Sequence, residues 1–87
     1  MANSVFDVGN SVYDPKDDYP DFGRKVALAV RKHKGARGVA LCGSGAGICI
    51  AANKVKGIRA VLACEPRIAK AARRDEDANV LCLGSDF

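Results

Sequence analysis

Short apolar runs alternate with segments of helical periodicity along this chain, and that alternation limits the possible folds more than any other feature. Continuous apolar runs bounded by glycine or polar residues are typical of strands that are buried on both faces. The runs occupy residues 5–8, 39–42, 58–64 and 80–83. The resulting order β-α-β-α-β-α-β has short connections, so we predict an α/β fold with a parallel sheet, helices on its faces and right-handed crossovers.

The helical segments carry recognisable start and stop signals. Pro20 suits the first turn of a helix, and Asp18 and Asp21 lie near its positive end. Apolar residues then recur at helical spacing until Gly35 stops the run. A second helix follows the string CGSGAG, and Glu65-Pro66 opens a third helix whose predicted apolar face is Ile68, Ala71 and Ala72.

Length and composition indicate one small globular domain. The 87 residues are 48% apolar and 28% charged, which argues against disorder. The longest uncharged stretch begins at Gly38, is shorter than a membrane span and contains four glycines. The N-terminus MANSVFDVGNS does not resemble a signal peptide. We therefore expect a cytoplasmic protein with no membrane partner.

The net charge of +4 comes largely from basic residues on predicted exposed helix faces, such as Arg24, Lys25, Arg31 and Lys32. A solvated face explains them most simply, and a general attraction for phosphorylated small molecules comes next. We expect no nucleic-acid partner, because the basic residues are not interleaved with aromatic residues and no recognition motif is present.

Four cysteines raise the questions of metal and of disulfides. None is spaced as C-x-x-C, and the single histidine, His33, falls in a helical stretch away from them. We therefore predict neither a metal site nor a secreted disulfide framework. Cys64 and Cys82 are expected to be small buried hydrophobic residues, whereas the surroundings of Cys42 suggest a different role.

Cys42 ends a predicted strand and opens a glycine-rich turn that leads into a helix. In open parallel sheets, ligands bind at the carboxyl ends of the strands. Glycines let successive N–H groups point at one place near a helix N-terminus, where an anion or a thiolate would be stabilised. Cys42 would then remove a proton from carbon while the amides hold the developing oxyanion, which is enediolate chemistry.

Two other interpretations of this turn remain open. One is a dinucleotide-binding turn, which Glu65 favours because it lies where a ribose-binding acid belongs. The spacing G-x-G-x-G argues against it, because the third fingerprint position falls on the bulky Ile48. The other is a glycine turn with a purely structural role.

A long string, CGSGAGICIAANKVKGIRAVLACEPRIAKAARRDEDANVLCLGS, resembles the type B ribose-5-phosphate isomerases and the related galactose-6-phosphate isomerase subunits. The pattern of that family is close to CGTGxGxxIAANKxxGIRA followed by a DANVL-like strand. FDVG and DYPDF extend the match upstream, so it covers nearly the whole chain. AANK followed by GIRA behind a glycine loop is a specific joint signature.

The resemblance implies an aldose–ketose isomerase that needs no cofactor and interconverts ribose 5-phosphate and ribulose 5-phosphate in the pentose phosphate pathway. It implies a three-layer, Rossmann-like or flavodoxin-like α/β sandwich, truncated here to about four strands and three helices. Residues 1–87 would form a single partial sugar-phosphate isomerase domain. Family members are normally dimeric with sites at the subunit interface, so we expect a homodimer or higher homo-oligomer with a sugar-phosphate substrate.

The resemblance also assigns site residues. Cys42 matches the base that moves the proton, and this chain is of the cysteine type because Ile48 stands where other members carry a glutamate. Ser44 replaces the usual threonine and keeps the hydroxyl thought to assist at the sugar. Tyr19 matches a residue of the substrate cleft, although a structural role near the helix start is an equal alternative. The anion hole would be Gly43, Ser44, Gly45, Ala46 and Gly47.

The chain also departs from the family pattern. The first strand–helix unit and the terminal helix of the family have no counterpart here. A His-Asn pair with an acid role is replaced by Asp75-Glu76, a degenerate acid position, and a phosphate-holding arginine is replaced by Asp86. The alternative function is therefore a catalytically impaired or inactive relative that binds sugar phosphate or a partner subunit, and a third alternative is an inert remnant.

Overall fold

The computed structural model of this chain describes residues 19–86. In that part it contains three α-helices and three β-strands. The helices are α1 (Tyr19–Lys32), α2 (Ala46–Asn53) and α3 (Pro66–Glu76), and the strands are β1 (Gly38–Cys42), β2 (Ala60–Leu62) and β3 (Val80–Gly84). The strand predicted at residues 5–8 lies outside the described residues.

Hydrophobic periodicity located these six elements well, and the main difference lies in β2. A strand was predicted over residues 58–64, but only Ala60–Leu62 pairs as one. Ile58 and Ala63, on either side of β2, are nevertheless buried, at 7% and 5% exposed. The amide of Ile58 instead closes a turn by donating to the carbonyl oxygen of Val55. Residues of an apolar run can therefore be buried without being part of a strand.

The three strands are parallel and lie in the order β1-β3-β2, so the last strand in sequence occupies the centre. The chain crosses from β1 through α2 to the far edge and returns through α3 to the middle. Because right-handed crossovers in opposite directions place their helices on opposite faces, α2 and α3 lie on different sides of the sheet. This arrangement confirms the predicted α/β class.

The main core lies between the sheet and the pair α1 and α2. Its fully buried side chains with the largest volumes are Ile48, Val80 and Cys82. Gly38 lets α1 approach the backbone of β1, because a β-carbon there would lie 2.6 Å from Val26 and 2.8 Å from Val30. Burying a side chain such as Ile48 stabilises the fold by roughly 1.5–3 kcal/mol, so this layer carries much of the stability.

The other helix, α3, begins as predicted but packs more loosely. Glu65 is its N-cap and Pro66 its first residue. No residue of α3 is buried, and Ile68, from the predicted apolar face, is 37% exposed. The expectation of a buried face is therefore wrong for Ile68, because the other described residues offer little surface to cover it.

The AANK and GIRA strings have a structural role in this fold. The side-chain amide of Asn53, at the end of α2, donates to the carbonyl oxygen of Ala60 at 2.9 Å. Its amide oxygen accepts from the N–H of Ala60 at 2.8 Å. Asn53 thus pairs with the outer edge of β2 as a neighbouring strand would. Arg59 donates to the carbonyl oxygen of Asp77 at 2.7 Å, which ties β2 to the end of α3.

One side of β1 is open in the described part of the chain, where β3 is its only neighbour. The amide of Gly38 donates to Asn79, and the carbonyl of Cys42 accepts from Ser85, both beside β3. Bonding alternates along a strand, so Val39 and Leu41 direct their main-chain groups to the open edge. Their side chains are 64% and 60% exposed on the sheet face away from α1 and α2.

The cysteines and basic residues can now be placed. Cys82 is 0% exposed, as expected, but the expectation is wrong for Cys64, which is exposed at the edge of the sheet just after β2. Cys42 and Cys49 are half-buried.

The four basic residues predicted on helix faces, Arg24, Lys25, Arg31 and Lys32, are all exposed. No helix within residues 19–86 is long and apolar enough to cross a membrane.

Cys82 should make the fold sensitive to alkali. Burial, reinforced by the neighbouring thiol of Cys49, raises the pKa of Cys82 from 9.0 to about 12. Between these values the unfolded chain has lost the thiol proton and the folded chain retains it, so the free energy of unfolding falls as pH rises. The loss should be at most about 1.4 kcal/mol per pH unit.

Urea denaturation of the wild type and of Cys82→Ala between pH 8 and about 11 measures this effect. The cavity in the variant lowers its stability at every pH, so the informative quantity is the difference in slope. We expect the wild type to lose stability more steeply above pH 9, and parallel curves would contradict the assignment.

Candidate functional site

The candidate site lies at the edge of the sheet where the parallel strands end. β1 ends at Cys42, paired with Gly84 of β3, and Leu62 ends β2 at the same edge. Residues 43–45 form a short loop, and α2 starts directly after it at Ala46. The structure thus places the whole predicted cysteine and glycine motif at the edge where open α/β sheets bind ligands.

Gly45 gives the loop its shape. It has φ 82°, in the left-handed region that favours glycine, and it caps the start of α2. A β-carbon on Gly45 would lie 2.5 Å from Leu62 Cδ1 and 2.9 Å from the main-chain nitrogen of Gly84. The loop therefore rests directly on the ends of β2 and β3, and no larger residue fits at Gly45.

The sulfur of Cys42 is directed at this loop. The amide of Gly45 donates a hydrogen bond to Cys42 Sγ at 3.2 Å. Cys42 is half-buried and packs against the hydrophobic core, so the sulfur lies between the core and the loop. The sulfur therefore faces a main-chain donor at the edge of the sheet where open α/β folds bind ligands.

The remaining loop amides divide into occupied and available donors. The amide of Ala46 donates to Ser44 Oγ at 3.2 Å, so the hydroxyl of Ser44 serves the start of α2. Within the described residues, the amides of Gly43, Ser44, Gly47 and Ile48 have no acceptor. Gly47 and Ile48 lie in the first turn of α2, where the helix dipole adds positive potential. Three of the five predicted loop residues therefore keep an available N–H, and Ile48 adds a fourth.

Ile48 and Glu65, the two residues on which the dinucleotide-binding interpretation depends, have other roles in the structure. The side chain of Ile48 is 1% exposed and belongs to the core between α2 and the sheet. Glu65 pairs with Arg67 at 3.0 Å at the start of α3. A ribose-binding carboxylate would have to break that ion pair, and the bulk of Ile48 fills the place where a fingerprint glycine allows close packing.

The other predicted site residues are divided between the two edges of the sheet. Tyr19 begins α1 at the same edge as the loop, since Gly23, one turn later, lies against the carbonyl oxygen of Ile48. Asp75 and Glu76 end α3 at the opposite edge, just before β3 begins. The structure therefore does not bring Asp75 and Glu76 to Cys42 within one chain.

Asp75 also has a partner of its own. Arg74 Nε lies 2.7 Å from a carboxylate oxygen of Asp75, and this hydrogen bond lowers the pKa of the Asp75 carboxyl. A carboxyl group held in its charged form cannot serve as a proton donor near neutral pH.

Asp86, which replaces a phosphate-holding arginine of the family pattern, makes a contact with the loop that the sequence did not predict. Its amide donates to the carbonyl oxygen of Gly43 at 2.9 Å. Its Oδ2 lies 3.0 Å from the position that a β-carbon on Gly43 would take. The available signal was its position two residues beyond the end of a central strand, where a chain crosses the edge that binds ligands.

Two further features of the described residues concern ligand binding. A groove of about 500 Å³ between α1 and α2 reaches Gly47 at the loop edge and carries Arg24, Arg31, Lys54 and Lys56 on its walls. Its cations surround exposed apolar surface rather than a chemically reactive group. Among residues 19–86, no group of three or more His, Cys, Asp or Glu is arranged to hold a metal ion.

Comparison with known proteins agrees with this geometry. A family profile described as Ribose/Galactose Isomerase matches residues 1–87. The probable ribose-5-phosphate isomerase B of Mycoplasma pneumoniae is 46% identical over 83 residues, which cover 95% of this chain and 55% of that protein. The chain thus spans about half the length of the curated relatives it matches.

The chain is also similar to solved structures of ribose-5-phosphate isomerases B. Ribose-5-phosphate isomerase B from Mycoplasma genitalium with bound ribulose-5-phosphate superposes with a TM-score of 0.83 at 47% identity, over 92% of this chain and 53% of that one. The Clostridium thermocellum ribose-5-phosphate isomerase B gives a TM-score of 0.85 at 47% identity, over 93% and 54%.

Gly45 and Gly35 form a matched pair for testing the loop. Both have a positive φ, at 82° and 79°, but a β-carbon on Gly35 would meet nothing within 4 Å. Gly35→Ala should cost only the backbone strain of about 1 kcal/mol. Gly45→Ala should cost about 3 kcal/mol or more, because contact with Leu62 and β3 is added. Urea denaturation measures both losses, and equal losses would show that the close contact has no energetic weight.

Proposed function

The chain belongs to the ribose/galactose isomerase family, and from that premise we propose that it is a cytoplasmic aldose–ketose isomerase that interconverts ribose 5-phosphate and ribulose 5-phosphate. The observation that carries the proposal is the 3.2 Å hydrogen bond from the amide of Gly45 to Cys42 Sγ. It directs a thiol at a helix start that has two available N–H donors. The four free cysteines, Cys42, Cys49, Cys64 and Cys82, agree with a reducing compartment.

The chemistry follows from these groups. The thiolate of Cys42 takes the proton from the carbon next to the sugar carbonyl, and the carbonyl oxygen becomes an enediolate oxygen. The amides of Gly47 and Ile48 donate to that oxygen as its charge develops. Cys42 then returns the proton to the former carbonyl carbon. The hydroxyl proton on the second oxygen moves to the enediolate oxygen, so the carbonyl group now lies on the neighbouring carbon and the isomerisation is complete. No electron leaves the sugar, so the reaction calls for no redox cofactor.

Cys42 and Cys64 offer a direct test in the 87-residue chain. Cys42→Ala should lower the rate of ribulose 5-phosphate formation from ribose 5-phosphate by at least about 100-fold, since it removes the base. Cys64→Ala should keep the wild-type rate, because this exposed thiol follows β2 outside the loop. Equal rates in the wild type and in Cys42→Ala would contradict the proposed mechanism.

Adding ribose 5-phosphate to the same protein also distinguishes an active isomerase from the alternative, a relative that binds the sugar phosphate without converting it. Neither Asp75 nor Glu76 reaches the loop within one chain, and this observation favours the alternative. Under it, ribose 5-phosphate would shift the amide NMR signals of residues 43–47 in the wild type without being converted.

We further propose that the chain associates with a second copy through the open side of β1. In the part of the chain that the structure describes, β1 has unpaired main-chain groups beside the exposed side chains of Val39 and Leu41, which is the kind of strand edge that pairs with another chain. Such an assembly would also cover apolar surface that the described residues leave in water. A homodimer or a higher homo-oligomer would provide both the strand pairing and the covering of this surface.

Val39→Lys should weaken that association, because it places a charge on the surface to be buried. Ile50→Lys is the matched control: Ile50 is 62% exposed on α2, away from β1. We expect sedimentation to show an oligomer for the wild type and Ile50→Lys, and a shift towards monomer for Val39→Lys. A wild-type chain that stays monomeric at high concentration would rule the interface out.

A further inference from the structure

A carboxylate stands beside the glycine loop and takes no part in the proton transfer. The chain continues from β3 along the loop, where Ser85 donates to the carbonyl oxygen of Cys42 at 2.8 Å and Asp86 donates to that of Gly43 at 2.9 Å. One carboxylate oxygen of Asp86 lies 3.0 Å from where a side chain on Gly43 would begin. The carboxylate thus covers Gly43, the residue that directly follows Cys42.

The charge of Asp86 is not offset nearby. In the described part of the chain, the acidic partners of the ion pairs are Glu65, Asp75 and Asp77, each joined to an arginine. Asp86 is in none of those pairs, and residues 43–47 carry no charged side chain. Its negative potential therefore acts on whatever enters the loop.

We propose that Asp86 is a specificity-determining residue, whose carboxylate accepts hydrogen bonds from the hydroxyl groups of the sugar and opposes negative charge beside Cys42. This inference rests on the proposed function, because it concerns the same loop. It gives the site a direction: the hydroxyl-bearing end of the substrate is favoured at Gly43, and the dianionic phosphate is disfavoured there. Without Asp86, the amides at the start of α2 would attract either end.

The potential at Cys42 can be measured by alkylation of the intact chain. Iodoacetate and iodoacetamide both react with the Cys42 thiolate, whose sulfur displaces iodide from the same carbon, but only iodoacetate is negatively charged. Their rate ratio cancels the amount of thiolate and reports the local charge. Asp86→Asn should raise the ratio of iodoacetate to iodoacetamide rates at Cys42 by about threefold to tenfold, as expected for removing one nearby charge.

Two controls make this result specific. Glu76→Gln removes the same charge at the opposite edge of the sheet and should change the ratio at Cys42 by less than about twofold, since solvent screens distant charges. Cys64 serves as an internal reference in each sample. The ratio of its iodoacetate and iodoacetamide rates should be the same in the wild type and in the variants. Mass spectrometry resolves the two thiols, and Asp86→Ser repeats the test if Asp86→Asn disturbs the amide spectrum.

Ligand binding then connects the potential to specificity. D-ribulose is the uncharged counterpart of ribulose 5-phosphate. In NMR titrations, Asp86→Asn should strengthen the binding of ribulose 5-phosphate relative to that of D-ribulose by about threefold to tenfold, as for the alkylation ratio. An unchanged alkylation ratio at Cys42, or an equal change in Glu76→Gln, would overturn the role of Asp86. The alkylation ratio needs no turnover, so it decides the role of Asp86 even if the chain proves inactive and the proposed isomerase function fails.

Discussion

The insertion of β3 between β1 and β2 is the contact on which the rest of this structure depends. Within residues 19–86, β1 and β2 make no pairing with each other, and β3 is the strand that holds both in the sheet. The same strand buries Val80 and Cys82 under α2. It also supplies the surface on which the glycine loop rests, at the main-chain nitrogen of Gly84. The sheet, the core and the site are therefore completed together by the last described strand.

Much of the fold was predictable because its signals are local. Apolar runs and helical periodicity placed every described element, and Pro66 marked the start of α3. The strand order was not predictable in this way, because pairing between distant strands leaves no mark on the spacing of apolar residues. The exposure of Cys64 and Ile68 was missed for a related reason, since an apolar sequence shows what can be buried and not what is available to cover it.

The candidate site shows the same division. Cys42 and the glycines were identifiable, because a strand end followed by a glycine turn and a helix has few physical uses. The allocation of the amides was not identifiable: Gly45 donates to Cys42 and Ala46 to Ser44, which leaves the amides of Gly43, Ser44, Gly47 and Ile48 available in the described residues. Asp86 joins the loop through tertiary pairing, whereas Asp75 and Glu76 are carried to the far edge by α3.

The proposed mechanism gives the close packing of the loop a function. In that mechanism a thiolate and an enediolate are both anions, and Asp86 adds a third negative group, so the main-chain donors must be held accurately to favour the first two. Gly45 provides this accuracy, because its contacts with Leu62 and Gly84 leave the loop little freedom to move. The stability of the loop and the stabilisation of negative charge at Cys42 therefore depend on the same few contacts with β2 and β3.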